Sequence, residues 1–323
     1  MTLPLEPPLK PALALSRKEL PQGEDYVYEV KLDGFRCLAF VDGDEIYLQS
    51  RNGRPLGRYF PELASAGALP PGRYVLDGEI VVRDGAGRED FDALGQRIHP
   101  AASRIERLAG ETPAAYVAFD LLAREDEVLL DAPFAERRAA LEQLLAGKPF
   151  AGAPVELMQT VSTPEEAQRW LDHAEGAIAK QRSAPYLPGE RKGMFKVKRL
   201  RTIDAVIVGW RPGKEEGTVG ALILGLYDDG ELRVVGHCSG LSAKEKKRLP
   251  GFLAEYESGE RGSADPSRWS AGKELEWVGL RPELVIEIDF DHVSAGRIRH
   301  GAKLRRWRED KDPSACTFDQ LYS

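Results

Sequence analysis

Lys31 is the first residue whose type and setting could do chemistry, because it stands where a predicted strand, Tyr26 to Lys31, meets a tight turn. Asp33 and Gly34 form that turn, and Arg36 supplies a second cation. A lysine with an ordinary pKa of about 10.4 is neutral only about one time in a thousand at physiological pH, so a nucleophilic lysine needs desolvation or nearby cations. Taken alone, the same string also suits an ordinary surface hairpin.

Two cations and two carboxylates elsewhere in the chain would complete such a site. Lys196 and Lys198 alternate with apolar residues at strand period, which predicts that both side chains lie on one face. They would make a nearby lysine easier to deprotonate and would neutralise phosphate oxygens. Glu79 and Glu175 offer the hard oxygen ligands that Mg²⁺ or Mn²⁺ prefers, although either glutamate alone is more often a solvated turn residue.

The string Glu29-Val30-Lys31-Leu32-Asp33-Gly34-Phe35-Arg36 resembles the nucleotide-attachment motif of the covalent nucleotidyltransferases, the superfamily of DNA ligases, RNA ligases and mRNA capping enzymes. Strings similar to the later motifs of that superfamily follow in its order and reach almost to the C-terminus. They are Ser50-Arg51-Asn52-Gly53, Asp77-Gly78-Glu79, Tyr116 to Leu122, Glu175 to Lys180, Phe195 to Lys198 and Arg299 to Lys311.

The resemblance implies a role for each matching residue. Lys31 is the catalytic residue that carries AMP, Phe119 stacks on the purine, and Glu79 and Glu175 bind the divalent ion. The implied nucleotide-binding residues are Glu29, Arg36, Arg51, Glu79, Phe119, Lys196, Lys198, Arg299, Arg308 and Lys311, of which the last three belong to a motif that closes over the triphosphate. Arg191 lies one residue closer to the fifth motif than the family's arginine does, so no nucleotide contact is assigned to it.

By resemblance the activity is that of an ATP-dependent DNA ligase with Mg²⁺ or Mn²⁺. The lysine takes AMP from ATP, AMP passes to the 5′-phosphate at a nick, and the 3′-hydroxyl displaces AMP. The strings Glu175 to Lys180 and Arg308 to Lys311 are most similar to the stand-alone bacterial ligases associated with repair and end joining. Nicked double-stranded DNA and repair or end-joining proteins are the expected partners of a monomer.

Two other interpretations share much of this pattern. An RNA ligase or a capping guanylyltransferase has the same Lys-x-Asp-Gly core, and the fourth motif is what favours a DNA ligase. A catalytically silent nucleic-acid-binding relative is expected to have lost Lys31 or Glu175, and both are present.

The secondary-structure elements that must position these residues indicate an α+β protein. A length of 323 residues suggests two domains. Residues 1–202 are expected to form an adenylation domain of antiparallel sheets and helices, in which the Pro-rich first 25 residues wrap the surface and contribute little chemistry. Predicted strands include Cys37 to Val41 and Ile46 to Ser50, paired as a hairpin, and Tyr74 to Val82. One helix is predicted to follow Asp131, with Pro133 in its first turn, and to end at Gly147, and another is predicted at the capping box Thr163 to Glu166.

Residues 203–323 are expected to form a small barrel of the oligonucleotide-binding type, the OB-fold. The predicted strands are Ala205 to Trp210, Ala221 to Tyr227, Leu232 to His237 and, as the last, Leu284 to Phe290. One helix is predicted near Ser242 to Leu249, ending at Pro250 because proline interrupts helices.

Charge is distributed in a way that suits a phosphate-bearing partner. The net charge is −7, but Lys180 to Lys214 holds ten Lys and Arg against two acidic residues, and Gly296 to Lys311 holds seven against two. Such runs predict surfaces that face phosphates, with a solvated face as the alternative. Three widely spaced cysteines indicate neither a disulfide framework nor a zinc site, and the absence of a long apolar run or a signal pattern predicts a cytoplasmic protein without a membrane span.

Overall fold

The computed structural model describes residues 2–99, 101–146, 155–264 and 275–322. The chain divides into two compact units, Met1–Arg199 and Leu200–Ser323. Within the described residues, none of the helices is both long and apolar enough to cross a membrane.

The first unit contains short and long strands with helices inserted between them. Its strands are Leu15–Ser16 (β1), Tyr26–Val30 (β2), Phe35–Asp42 (β3), Glu45–Ser50 (β4), Arg73–Val82 (β5), Ala114–Arg124 (β6), Glu127–Val128 (β7), Val155–Leu157 (β8), Thr160–Val161 (β9), Gly176–Gln181 (β10) and Met194–Lys198 (β11). Its helices are Pro61–Ala64 (α1), Phe91–Gln96 (α2), Ala102–Glu111 (α3), Phe134–Leu145 (α4) and Pro164–His173 (α5).

These strands form two sheets. One has the order β1-β11-β10-β2-β9, and the other has the order β4-β3-β5-β6-β7 with β8 beside β6. One apolar cluster, which includes Leu63, Leu94 and Leu141, packs α1, α2 and α4 on the second sheet. Another cluster joins Phe40 of that sheet to Met194 of the first sheet. This apolar contact holds the two sheets together, and residues of both sheets line the cleft described below.

The local signals in the sequence account for most of the boundaries in this unit. The predicted hairpin is confirmed as β3 and β4, which pair from Cys37 opposite Ser50 to Asp42 opposite Glu45. The capping box is also confirmed: Thr163 accepts from the backbone of Glu166, whose side chain accepts from the backbone of Thr163 in return. Helix α4 begins one residue after Pro133 rather than around it and ends at Leu145. The predicted end at Gly147 lies outside the described residues.

The expectation that the first 25 residues only wrap the surface is wrong. Leu3 and Ala12 are buried and belong to the same apolar cluster as Phe40 and Met194. Within this segment β1 adds in parallel to the edge of the first sheet, with Ser16 opposite Lys196. Prolines interspersed with leucine and alanine conceal the burial, because the pattern has neither helix nor strand period.

The second unit is built on a curled sheet. Its strands are Arg201–Pro212 (β12), Val219–Asp228 (β13), Glu231–Gly240 (β14), Glu257–Ala264 (β15), Leu275–Leu280 (β16), Val285–Phe290 (β17), Val293–Ser294 (β18), Arg297–Ile298 (β19) and Ala302–Trp307 (β20), and its helix is Ala243–Leu253 (α6). The sheet order is β13-β14-β20-β17-β12-β16-β15, and β12 also pairs with β13. That extra pairing closes β13, β14, β20, β17 and β12 into a barrel, which confirms the expected OB-fold.

Two predictions for this unit are wrong. Helix α6 continues through Pro250 to Leu253, because Leu249 and Leu253, one turn apart, are both buried in the barrel core and outweigh the backbone hydrogen bond that proline cannot donate. The strand ending at Phe290 is not the last, since β20 follows it. Strand β20 carries many charged residues and was not predicted as a strand. Its two arginines, Arg305 and Arg306, form ion pairs with Glu287 of β17.

Candidate functional site

A cleft of about 210 Å³ in the first unit gathers most of the residues that the motifs single out. Its charged lining consists of six cations and two carboxylates, namely Lys31, Arg36, Arg51, Lys180, Arg191, Lys196, Glu29 and Glu79. Its remaining lining includes Phe119 and the apolar side chains of Met158, Ile178 and Met194. A cationic cleft with an apolar part is suited to a ligand that carries both phosphates and a planar ring.

The first sheet forms one wall of the cleft, and the pairing register of its strands places the side chains there. Glu29 on β2 lies opposite Ile178 on β10, which in turn lies opposite Lys196 on β11. Residues directly opposite one another in a ladder project to the same side, so these three side chains form one row along the cleft. The prediction that Lys196 and Lys198 share a face is confirmed, since both are half-buried and alternate with buried neighbours.

Lys31 is fixed at the end of β2 by its backbone. Its N–H donates to the carbonyl of Gly176 at 2.9 Å, and its ammonium lies 3.9 Å from a carboxylate oxygen of Glu175. Gly176 has φ of 140°, in the region that favours glycine, and a Cβ there would lie 2.1 Å from the carbonyl oxygen of Val197. Glycine therefore lets β10 and β11 approach closely at Gly176, the residue whose carbonyl accepts from the Lys31 N–H.

The second sheet builds the opposite wall. The Arg36 guanidinium makes two hydrogen bonds of 2.6 Å to the buried carboxylate of Asp77 and lies 4.5 Å from the centre of the Phe119 ring. Asp77 pairs with Asp120 and Gly78 with Ala118, so Phe119 is the extra residue of a β-bulge on β6. Bulges redirect a side chain, and here Phe119 enters the cleft although its neighbours along β6 are core residues.

Burial and like charges set the electrostatics of the cleft. Burial raises the pKa of Glu79 to about 7, and Arg36 and Lys31 oppose that shift. Burial also lowers the pKa of Lys196, and neighbouring cations, foremost Lys198 and Lys31, lower it further. A negatively charged ligand would therefore stabilise the charged form of Lys196, and a cation beside Glu79 would stabilise the ionised carboxylate.

Glu29 takes part in a buried ion pair. Its carboxylate accepts from Lys180, whose Nζ lies 2.9 Å and 3.0 Å from the two oxygens and also donates to the carbonyl of Phe119 at 3.2 Å. Burial raises the pKa of Glu29, and Lys180 opposes the shift. The pair connects the first sheet to the bulge that presents Phe119.

The remaining sequence-predicted residues stand apart from the cleft lining. Glu175 contacts Lys31, and Lys198 acts on Lys196 through its charge, but neither is among the residues that line the cleft. Arg299, Arg308 and Lys311 belong to the second unit. There the guanidinium of Arg308 lies 2.8 Å from the carboxylate of Asp204, and the ammonium of Lys311 lies 3.7 Å from it.

Some residues of the cleft were missed by the sequence reasoning. Pro11, Ala12, Leu13 and Ala14 line it, as do Lys180 and Arg191. Arg191 shows that the shifted spacing does not remove the side chain from the site. Lys180 belongs to the fourth motif, but no role was assigned to it. It lies two residues after Ile178 on β10, so strand periodicity places both side chains on the face that lines the cleft.

Comparisons with known proteins agree along the whole chain. The model of the ATP dependent DNA ligase domain matches residues 11–198, and that of the ATP dependent DNA ligase C terminal region matches residues 215–311. DNA ligase C1 of Mycolicibacterium smegmatis is 45% identical over 99% of this chain and 96% of its own length.

Two further relatives are associated with ligase D. The multifunctional non-homologous end joining protein LigD of Pseudomonas aeruginosa is 33% identical over 97% of this chain and 37% of its own length. The solved structure of mycobacterial DNA ligase D complexed with ATP and MES is 30% identical, with a TM-score of 0.53, and the match covers 96% of this chain and 98% of that one.

Proposed function

This chain belongs to the ATP-dependent DNA ligase family, and on that premise we propose that it seals 5′-phosphate/3′-hydroxyl nicks in duplex DNA with Lys31 as the residue that carries AMP. The observation that carries the proposal is the position of Lys31 in a cleft lined by cations from both sheets. A capping or RNA-joining relative would share this lysine, so the nucleotide and the nucleic acid used are what the experiment must distinguish.

In the first step, the neutral Lys31 amine attacks the α-phosphorus of ATP. A phosphorus–nitrogen bond forms, the bond from the α-phosphorus to the bridging oxygen breaks, and pyrophosphate leaves with that oxygen. Lys196, which shares the cleft, stabilises the charge that builds on the α-phosphate oxygens. The pKa of Lys196 is lowered first by burial and then by neighbouring cations, and the negative triphosphate would offset the repulsion among those cations.

The other end of the cleft suits the nucleoside. We assign the purine to the ring of Phe119 and the hydrogen-bonding groups of the base or ribose to Glu29, which Lys180 holds in place. Arg36 and Arg51 line the same cleft and are assigned to the nucleotide as well.

A divalent cation fits the carboxylates present. Glu79 is a half-buried acid whose pKa is raised to about 7, so a bound cation would relieve the cost of ionising it. Glu175, 3.9 Å from the Lys31 ammonium, supplies a second hard oxygen donor close to the reacting nitrogen. Mg²⁺ or Mn²⁺ held by Glu79 and Glu175 would supply Lewis-acid stabilisation of phosphate charge.

In the second step the same lysine is the leaving group, and in the third step AMP is the leaving group. AMP passes from Lys31 to the 5′-phosphate of the nick, and the 3′-hydroxyl then displaces AMP to form the phosphodiester. Arg299, Arg308 and Lys311 are proposed to bind the β- and γ-phosphates during the first step only. The similarity to the end-joining protein LigD supports a role in repair or end joining, with nicked duplex DNA and proteins of that pathway as partners of a monomeric enzyme.

The test is transfer of a radiolabelled nucleotide. The protein is first treated with pyrophosphate to remove bound AMP and is then incubated with α-labelled ATP or GTP and a divalent metal. We expect an acid-labile, alkali-stable adduct with ATP, which maps to Lys31 and passes to a 5′-phosphorylated nick in DNA. The Lys31→Ala protein should form no adduct, and Lys244→Ala, an exposed lysine on α6, is the matched control.

Three results would contradict the proposal. Preferential labelling by GTP would favour a capping enzyme, and joining of nicked RNA with no joining of nicked DNA would favour an RNA ligase. Failure of the protein to form an adduct with either nucleotide would leave a silent nucleic-acid-binding protein.

A further inference from the structure

Residues 9–17, here called the N-terminal strap, form part of the cleft wall and are held along their length by backbone contacts. Leu9 exchanges two hydrogen bonds with the side chain of the buried Gln49, at 2.9 Å and 2.6 Å. At the other end, the Arg17 N–H donates to the carbonyl of Lys196 at 2.9 Å. Between these anchors the strap places Pro11, Ala12, Leu13 and Ala14 against the cleft.

The centre of the strap is held by its backbone and by the hydroxyl group of Tyr186. The Gly189 N–H donates to the carbonyl of Pro11 at 3.2 Å, and the Leu13 N–H donates to the carbonyl of Glu190 at 2.8 Å. Ala12, between these two residues, is held by the hydroxyl. The Ala12 N–H donates to this hydroxyl at 2.9 Å, and the hydroxyl donates to a carboxylate oxygen of Asp77 at 2.6 Å. Tyr186 is 3% exposed and Asp77 is fully buried. The hydroxyl therefore uses its donor and one acceptor position on buried partners, an arrangement that fixes its direction.

The same carboxylate also holds the arginine of the cleft. Asp77 accepts two hydrogen bonds from Arg36, and the Arg36 guanidinium reaches the carbonyl of Ala12 at 3.4 Å. The strap, Tyr186, Asp77 and Arg36 thus form a closed circuit in which Ala12 is held through both its N–H and its carbonyl. Arg36 also lies over the Phe119 ring, so the circuit reaches the apolar part of the cleft.

We propose that Tyr186 is a positioning residue that sets the strap as the nucleoside-side wall of the ATP site, an inference that rests on the proposed function. Ala12 packs in the same apolar cluster as Met194 and Ile178, which line the cleft. Lys31 is fixed separately, by its hydrogen bond to Gly176. Loss of the hydroxyl therefore weakens nucleotide binding while it leaves the reacting lysine in place.

The experiment uses Tyr186→Phe, which removes the hydroxyl and keeps the ring. The matched control is Tyr74→Phe on β5, where a buried tyrosine hydroxyl donates instead to the carbonyl of Pro70. Two measurements are made on each full-length protein after AMP has been removed. One is amide hydrogen exchange of peptides that cover the strap, and the other is the rate of lysyl-AMP formation as a function of ATP concentration.

For Tyr186→Phe we expect faster exchange in the strap and an increase of about tenfold in half-saturating ATP, the factor that corresponds to about 1.4 kcal/mol. The maximal rate of lysyl-AMP formation and the joining of a pre-adenylated nick should change less than about threefold, a split typical of lost binding rather than lost chemistry. Tyr74→Phe should change neither the strap exchange nor half-saturating ATP.

Each other result overturns the inference. Faster strap exchange with unchanged half-saturating ATP would show that the strap does not position the nucleotide, although the ligase proposal would stand. An equal rise of half-saturating ATP in both variants would show a general effect of a lost buried hydroxyl. A fall in maximal rate with unchanged half-saturating ATP would assign Tyr186 to the chemistry. Failure of the wild-type protein to form lysyl-AMP would instead reject the proposed function, and with it the role given to Tyr186.

Discussion

Replacing Glu79 with glutamine is expected to change how stability depends on pH. Burial raises the pKa of Glu79 from an ordinary value of 4.5 to about 7. Between those two values the unfolded chain gives up the proton while the folded protein keeps it, so the free energy of unfolding falls as pH rises. The loss of stability caused by ionising buried Glu79 is absent below pH 4.5 and complete above about pH 7. A salt-bridged carboxylate behaves in the opposite way, because its folded-state pKa is lowered.

The magnitude follows from the size of the shift. At about 1.36 kcal/mol per pKa unit, the change from 4.5 to about 7 corresponds to an upper limit of about 3 kcal/mol. Glu79 is half-buried, and solvent reduces the effect, so we expect about 1–3 kcal/mol. Glutamine has no charge to bury. The Glu79→Gln protein should therefore gain this amount relative to the wild type when the pH is raised.

The assay is urea denaturation of both proteins without divalent metal, at about pH 5 and about pH 8. The stability difference between wild type and Glu79→Gln should shift in favour of the variant at the higher pH. Added Mg²⁺ should reduce the shift if the cation binds the ionised carboxylate. Glu127→Gln, at an exposed site on the same sheet, is the matched control. An identical difference between wild type and Glu79→Gln at both pH values would refute the reasoning.

Three other predictions concern different parts of the chain. Lys311→Ala should slow lysyl-AMP formation on the order of 10²-fold, as the loss of a charge contact in the transition state does, and should affect the joining of a pre-adenylated nick far less; equal losses in both rates would exclude a role confined to the first step, and the reverse order would indicate a DNA-binding patch. Gly34→Ala should abolish adenylylation, because its Cβ would lie 2.4 Å from the carbonyl oxygen of Ile80, whereas Gly85→Ala, with nothing within 4 Å, should be active; an active Gly34→Ala protein would show that the turn can move. Affinity for nicked duplex should fall steeply with salt and vary little with flanking sequence, since phosphates supply the contacts; a titration that shows no salt dependence would contradict this.

The sequence predicted what depends on local pattern and on motif identity. The alternation at Lys196 and Lys198 was sufficient to place both on one face, and the capping box fixed the start of α5. The motif strings identified Lys31, Arg36 and Glu79, which the fold brings to one cleft. Local signals work here because each is set by residues close together in the chain.

What the sequence could not predict depends on contacts between distant segments. Tyr186 and Ala12 are joined across 174 residues, and no periodicity marks either of them. Proline usually ends a helix, but at Pro250 the burial of Leu253 in a distant barrel core decides the outcome. The motif identified Phe119, but not the bulge through which it reaches the cleft, because the position of a bulge is set by pairing between strands rather than by the strand's own residues.

The close approach at Gly176 bears on how this protein can diverge. Any other residue there would place a Cβ against the Val197 carbonyl and would also require an unfavourable backbone angle, so every single substitution incurs both penalties. A lineage can change this position only together with the path of β11, and that path also carries Lys196. Variation at Gly176 is therefore expected only together with a change in the fifth motif, whereas at open positions such as Gly110 and Gly251 an added Cβ would meet nothing within 4 Å.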